Sequence, residues 1–225
     1  MTVYSAVACS PSPAMDFSMS SDIVLELLEV AINLILYTRE IYPQAVFQRR
    51  KKYNIPVQMC IHPGLQSYIS ECVGSLRPVL EKGEVQKVVL VVLSAQGTPV
   101  EKFIFEIVQH PTRPHDIKQD PHLTRMEEAL RAFCLKLSIS DSLLQPLPPD
   151  CSFVMQIQVP GHVPAALSSA PQHQEFPWVE AEKEQVEVSS PHLVPLKTLR
   201  TEVCKMQLYV EESASKTAPA TSTSH

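Results

Sequence analysis

A histidine-rich stretch near the middle of the chain holds the residues that most resemble a metal site. His110, His115 and His122 lie close together, with Asp116 and Asp120 between them, and imidazole and carboxylate groups are common zinc ligands. Their spacing matches no ligand pattern of the known zinc motifs. We therefore expect a solvated loop over 110–120 and no bound metal.

Cys60 and His62 are a second candidate, since a thiol beside an imidazole can act as a nucleophile. On an extended strand these two side chains share a face, but no third group orients the imidazole, as it does in nucleophilic sites. The sequence also lacks the H-E-x-x-H, G-x-S-x-G and kinase motifs. We expect no enzyme and no catalytic residue, although motifs leave open a site assembled from distant residues.

The composition excludes two further classes of function. The 225 residues include only 5 glycines, against 20 prolines, and the glycines are too widely spaced for a dinucleotide or phosphate-binding loop. The net charge of −5 opposes direct nucleic-acid binding, because that affinity comes mainly from clustered Lys and Arg. We therefore expect no cofactor and no direct contact with nucleic acid.

The cysteines and the apolar pattern indicate where the protein resides. The six cysteines form no C-x-x-C pair, and a hydrophobic content of 44% provides a core that needs no disulfides. No signal peptide and no long apolar stretch is visible. These features favour a reduced, intracellular protein that is neither secreted nor membrane-spanning.

Apolar residues at helical spacing predict a first helix over about 22–41. Ser21 or Asp22 would cap it and Pro43 would stop it. Apolar residues cover most of its circumference, which is typical of a helix that is packed on several sides. We expect this helix to be central and to pack under a sheet.

The next elements are two more helices and a hairpin. A second helix is predicted over 63–82, with a kink at Pro78, and a third begins at Pro121. Between them, the β-branched run 88–93 and the segment 100–108 predict a hairpin with a buried centre.

Alternating apolar and polar residues over 151–159 predict a half-buried strand, and shorter strands follow it. The resulting order predicts an α+β domain, with helices on one face of a mainly antiparallel sheet. Residues 1–20 and 213–225 are predicted to be a disordered leader and tail, and the domain spans 21–212.

A basic run and one tryptophan remain to be explained. The run Arg49-Arg50-Lys51-Lys52 would suit a nuclear localisation signal, a phosphate contact or a solvated loop. The negative net charge of the whole chain favours a loop that is solvated or that contacts another protein. Trp178, the only tryptophan, follows a proline-rich segment. Burial alone slightly favours a core role, whereas aromatics beside prolines often clamp extended peptides.

Several strings resemble one family, the HORMA-domain accessory subunits of translesion DNA polymerase zeta, also described as mitotic-arrest-deficient-like proteins. They are LEVA (28–31), LILY (34–37), RKKYN (50–54), PVQM (56–59), PVEKF (99–103), LRAF (130–133), FPW (176–178), PLKT (195–198) and KMQLYVEE (205–212). The resemblance covers about 22–212 and implies a HORMA fold, in which three helices back an antiparallel sheet. A C-terminal seatbelt, here about 160–212, would wrap across a bound peptide.

The resemblance also implies three binding surfaces. A proline-containing peptide, from the polymerase zeta catalytic subunit or from a DNA-end-protection (shieldin-type) subunit, would add a strand to the sheet. The corresponding residues are, for the peptide, Tyr42, Tyr68, Phe153, Trp178 and Glu180; for the C-terminal domain of a scaffold translesion polymerase, Leu193, Gln207 and Tyr209; and for a homodimer or HORMA heterodimer, Arg49 and Arg131.

Further implied partners are an AAA+ remodelling ATPase and, as an alternative function, activators of the anaphase-promoting ubiquitin ligase that the protein would inhibit. The nucleus is the implied location, with cytoplasm and spindle as further sites. The chain departs from the family pattern in 160–174 and at Glu180, where the family has an apolar residue facing the peptide. A buried unpaired carboxylate is unfavourable, so we expect Glu180 to weaken or redirect the choice of ligand.

Overall fold

The computed structural model describes residues 17–110, 120–160, 178–181, 187–202, 204–214 and 216. The helices are α1 (Ser18–Thr38), α2 (Pro63–Gly74), α3 (Arg77–Leu80) and α4 (Asp120–Ser138). The strands are β1 (Phe47–Lys52), β2 (Ile55–Cys60), β3 (Lys87–Leu93), β4 (Pro99–Gln109), β5 (Ser152–Gln158), β6 (Pro191–Arg200) and β7 (Cys204–Ser213). Two short 3-10 turns lie at Gln44–Val46 and Ser140–Leu143.

Helix α1 is the centre of the helical layer, as its apolar circumference predicts. Its buried residues lie on all sides, and it packs against α2, α4 and β2. The expected caps are wrong, because the helix begins at Ser18 and neither Ser21 nor Asp22 caps it. Its C-terminal end comes before Pro43, since Glu40 adopts a left-handed φ of 51° that turns the chain.

The second predicted helix is broken into two. Helix α2 ends at Gly74 and α3 begins at Arg77, so the interruption lies before Pro78 rather than at it. The proline ring clashes with the carbonyl four residues earlier and supplies no N–H. The helix therefore breaks one turn N-terminal to Pro78, where a kink alone was predicted.

The basic run lies on a strand, which corrects the loop predicted at Arg49 to Lys52. Strands β1 and β2 form a separate antiparallel hairpin, in which Arg49 lies opposite Gln58. The turn between them has left-handed φ angles at its two central residues, 47° at Tyr53 and 60° at Asn54, as type I′ hairpins require. Because most of β1 is exposed, it lacks the apolar alternation from which a strand is predicted.

The main sheet has five strands in the order β5-β3-β4-β7-β6, and every pairing is antiparallel. The helices cover one face, where Phe105 of β4 meets Phe133 of α4 with ring centroids 6.4 Å apart. The predicted α+β class, the hairpin of β3 and β4, and the strand at β5 are confirmed. In the described ranges, no helix is long and apolar enough to cross a membrane.

Candidate functional site

The outer edge of β5 is one of two sheet edges with which no further described strand pairs, and the other is the outer edge of β6. Among the described strands, only β3 pairs with β5. Gln158 O accepts from Gln86 N at 2.9 Å, so the backbone groups of Gln158 face β3. Backbone direction alternates along a strand, and the N–H and C=O groups of Phe153, Met155 and Ile157 therefore point away from β3. These outward groups are what an added strand would bind, except for the Met155 N–H, which lies at the Tyr68 hydroxyl.

Three aromatic side chains converge beside this edge. Phe153 of β5 meets Tyr68 of α2 at 5.7 Å between ring centroids and Tyr42 at 6.1 Å, both edge-to-face. All three rings pack against the hydrophobic core and are partly buried. Three of the predicted peptide-binding residues thus form one cluster, in the edge-to-face geometry that aromatic pairs prefer.

The hydroxyl of Tyr68 lies at the backbone of β5. Burial raises the pKa of Tyr68, with Cys72 and Tyr42 adding to this, and a backbone hydrogen bond from Met155 acts in the opposite direction. A bond that lowers the pKa of a phenol is one in which the phenol oxygen accepts, so the Met155 N–H donates to Tyr68. Burial also raises the pKa of Tyr42, with Cys60 adding to this. Both phenols therefore stay neutral at physiological pH.

Trp178 lies on the same face of α2 as Tyr68. Its indole Nε1 donates to Ser75 Oγ at 3.0 Å, and its ring is partly buried against the core. Ser75 is the C-cap of α2 and comes seven residues after Tyr68, which places both on one face about 10 Å apart. Residues 161–177, the first part of the expected seatbelt, lie outside the described ranges, but the described residues on either side of them lie at β5 and at α2.

The side chain of Glu180 is exposed. The unfavourable burial of a carboxylate, which led us to expect an altered ligand choice, therefore does not arise in this structure. A carboxylate in water keeps its hydration, and Glu180 would act on a ligand only through its charge.

The three residues expected to bind a scaffold polymerase lie on the sheet face opposite the helices. Leu193 of β6 lies opposite Glu211 of β7, two residues beyond Tyr209 and four beyond Gln207, so all share one face. Leu193 is 55% exposed, and the Tyr209 hydroxyl accepts from Lys87 Nζ at 3.3 Å. The structure brings this set together, far from the aromatic cluster.

Arg49 and Arg131, the expected self-association residues, belong to neighbouring elements. Arg131 of α4 donates from Nε to the carbonyl of Tyr53 at 3.1 Å and pairs with Glu127 at 3.3 Å. It thereby holds the turn of the hairpin whose strand β1 carries the exposed Arg49.

The pair of Cys60 and His62 does not form a reactive group. His62 caps α2, with its Nδ1 accepting from Leu65 N at 3.4 Å, and Cys60 is buried, so the pair lacks the geometry of a nucleophile and its base. In the part of the chain that the structure describes, no three His, Cys, Asp or Glu side chains are placed to hold a metal. Most of the histidine-rich candidate lies outside that part, namely His115, Asp116 and the side chains of Asp120 and His122.

The sequence did not point to Ser75 or to the Met155 backbone as parts of the site. A serine after a helix has many roles, and a backbone group has no sequence signal at all. Both are found only once α2 lies beside β5.

Comparison with known proteins agrees with this architecture. A family model described as the HORMA domain matches residues 20–192. This chain belongs to the HORMA family. A bovine relative, "Mitotic spindle assembly checkpoint protein MAD2B", is 45% identical over 198 residues, covering 88% of this chain and 93% of the relative. The Arabidopsis thaliana "DNA polymerase zeta processivity subunit" is 36% identical over 192 residues, covering 84% and 83%.

Solved HORMA structures share the fold. A chain of the "Crystal Structure of Mitotic Checkpoint Complex" matches with a TM-score of 0.70 at 22% identity, covering 86% of this chain and 98% of that one. The structure of C. elegans HTP-2 bound to the HIM-3 closure motif matches with a TM-score of 0.65 at 14% identity, covering 88% and 91%. The predicted family and fold are confirmed.

Proposed function

We propose that this HORMA chain is a non-enzymatic adaptor that holds a proline-containing peptide against the edge of β5. The observation that carries the proposal is the open outer edge of β5, lined by the Tyr42, Tyr68 and Phe153 cluster. Strand addition supplies affinity through main-chain hydrogen bonds. Aromatic rings stack well on proline rings and supply the choice of sequence.

The peptide belongs to the catalytic subunit of polymerase zeta or to a shieldin-type DNA-end-protection subunit. The name of the Arabidopsis relative, a polymerase zeta processivity subunit, supports the first source. In this role the chain supports translesion synthesis in the nucleus and the choice of double-strand-break repair. The HTP-2 structure, which contains a bound closure motif, illustrates peptide capture by a similar fold.

The seatbelt slows dissociation of the bound peptide. The chain leaves β5 at its end and returns at Trp178, which bonds to Ser75 on the neighbouring helix. A ligand enclosed in this way leaves only when the seatbelt opens, so its dissociation is slow for the surface area that it buries. An AAA+ remodelling ATPase would then speed release.

A second surface recruits the scaffold translesion polymerase. Leu193, Gln207 and Tyr209 lie on the face opposite the helices, and Leu193 offers an exposed apolar contact. Because this face is separate from the edge of β5, both partners bind at once. The basic hairpin and Arg131 form the third surface, which serves self-association or pairing with another HORMA protein.

A crossed pair of variants tests the two main surfaces. Trp178→Ala should lose retention of a proline-containing peptide from the polymerase zeta catalytic subunit but keep the scaffold domain, and Tyr209→Ala should do the reverse. Both are measured by co-precipitation from purified components. Full peptide retention by Trp178→Ala would contradict the pocket, and loss of both partners in either variant would contradict two separate surfaces.

The ligand preference is tested at Glu180. On an array of proline-containing peptides, the wild type and Glu180→Leu should differ most for peptides with basic flanks, because only a charge is removed from an exposed site. Identical arrays would remove Glu180 from the set of specificity residues.

A second candidate function is inhibition of activators of the anaphase-promoting ubiquitin ligase. The relatives named for the mitotic spindle assembly checkpoint favour it. If these activators use the peptide groove, Trp178→Ala should lose the inhibition of ubiquitin transfer and Tyr209→Ala should keep it. Equal inhibition by wild type and Trp178→Ala would exclude the groove from this role.

A further inference from the structure

Lys216 is buried inside the fold although it follows the last strand. The sequence placed it in a disordered tail from residue 213, but β7 includes Ser213 and the Lys216 side chain is only 1% exposed. Lysine is almost never fully buried unless it is paired. Its position therefore calls for a set of matching partners.

The Lys216 ammonium has a partner for each of its protons. Nζ donates to the Gln145 carbonyl at 2.6 Å, to Glu212 Oε1 at 2.8 Å and to Glu101 Oε1. An ammonium carries three donors and no acceptor. The tail residue is thus fully satisfied by three separate parts of the chain.

Two of these acceptors, Glu101 and the Gln145 carbonyl, also bind Arg39, which follows the last residue of α1. Arg39 donates to both oxygens of Glu101, at 2.7 and 3.2 Å, and to the Gln145 carbonyl at 2.7 Å. The Gln145 N–H in turn donates to Glu212 Oε1 at 2.6 Å. Both backbone groups of Gln145, in the loop that leads into β5, are therefore held by this buried cluster.

The cluster is complete only when β7 is paired with β4. Arg39 is the C-cap of α1 and Glu101 lies in β4, whereas Glu212 and Lys216 belong to the C-terminal segment. Glu101 is fully buried and Glu212 is 5% exposed. Without Lys216, the one hydrogen bond that the described residues still give the Glu212 carboxylate is that of the Gln145 N–H, and an uncompensated buried charge is strongly unfavourable.

We propose that Lys216 is a positioning residue that fastens the C-terminal strands and the loop before β5 in the arrangement that retains a bound peptide. It acts through Glu212 and Gln145, and not by touching the ligand. The loop at Gln145 sets the start of β5, whose free edge is the proposed peptide site. The proposal rests on the proposed function, since it concerns how long that site keeps its ligand.

The test compares full-length wild type with Lys216→Met, which keeps most of the side-chain volume but removes the charge. Dissociation of a fluorescent proline-containing peptide should become at least tenfold faster, while its association rate changes less than twofold. Amide hydrogen exchange in free protein should quicken in β7 and in 145–151. Lys205→Met, at an exposed position of β7, is the matched control and should match the wild type.

A double variant distinguishes the effect of the unpaired Glu212 carboxylate from a general loss of stability. Lys216→Met with Glu212→Gln removes the unpaired carboxylate and keeps Arg39 paired with Glu101 and with the more exposed Asp141. The dissociation rate of this double variant should therefore return at least threefold towards that of the wild type. The proposed role of Lys216 would be overturned if the double variant released the peptide as fast as Lys216→Met does. It would also be overturned if Lys216→Met left both hydrogen exchange and peptide dissociation unchanged. If Lys216→Met does not fold, a folded double variant supports the unpaired charge as the cause, and an unfolded one overturns it.

The two proposals can fail separately. Wild-type protein that retains no peptide would contradict the proposed function, yet hydrogen exchange in the free protein would still decide whether Lys216 fastens β7 and the Gln145 loop.

Discussion

Replacing Trp178 with Phe removes the indole N–H that Ser75 accepts at 3.0 Å and keeps an aromatic ring against the core. The complementary change, Ser75→Ala, removes the acceptor and also the bond that Ser75 Oγ donates to the Cys72 carbonyl at 2.7 Å. Each single variant therefore loses more than the shared bond. A double-mutant cycle cancels these separate losses and isolates the contact between Trp178 and Ser75.

The size of the coupling follows from the geometry. A hydrogen bond of ordinary length between neutral groups contributes about 0.5–1.5 kcal/mol net, and the partly buried Trp178 places this one near the middle, at about 1 kcal/mol. If the bond breaks before a peptide leaves, it slows dissociation about fivefold, since about 1.4 kcal/mol is a factor of ten.

The assay is the dissociation of a fluorescent proline-containing peptide, followed by stopped flow after mixing with unlabelled peptide. Wild type, the two single variants and the double variant complete the cycle, and urea unfolding of each corrects for stability. Ser70→Ala, at an exposed position of the same helix, replaces Ser75→Ala in a control cycle and should show no coupling to Trp178. A coupling energy below about 0.3 kcal/mol between Ser75 and Trp178 would lie within the error of additive behaviour. It would refute the view that this bond holds the seatbelt closed.

Three further predictions concern the fold around the site. Phe153→Ala should lower the free energy of unfolding by about 3 kcal/mol and Phe153→Leu by about 1 kcal/mol in urea titrations, because only the first removes the bulk between two rings; equal losses would contradict this. Asn54→Gly should raise Tm by roughly 1–2 °C in calorimetry, because glycine relieves the left-handed turn, and a fall in Tm would count against the turn. Burial raises the pKa of Cys72 and Cys134 to about 12, so among the cysteines of the described residues maleimide at pH 8 should label the less buried Cys151 before Cys72 and Cys134, as mapped by mass spectrometry; faster labelling at Cys72 would be inconsistent with the packing.

Local patterns predicted those elements in which one face is apolar. The β-branched run of β3 and the alternation along β5 predicted strands, and the structure has Lys87–Leu93 and Ser152–Gln158 there. Strand β1 was missed, because its exposed Arg and Lys side chains cover both faces of a small hairpin. A pattern of burial cannot reveal a strand that buries almost nothing.

The candidate site was predictable only in part. The resemblance to a family, and not sequence spacing, identified Tyr42, Tyr68 and Phe153. The structure shows why their spacing in the sequence does not predict that they meet. They come from a loop, from α2 and from β5, which meet because β5 lies at the edge of the sheet next to α2. Glu180 was singled out on the expectation of burial, and the structure leaves it exposed.

The sequence by itself determined the class of fold, the central first helix and the absence of glycine-rich nucleotide loops, because each depends on residue types within one short window. Tertiary structure decided what each polar residue does. Lys216 sits in a tail that is polar by composition, and it is buried because Glu101 and Gln145, 115 and 71 residues earlier, bring acceptors to it. Pairing of buried charges depends on distances in space, and no local pattern encodes those distances.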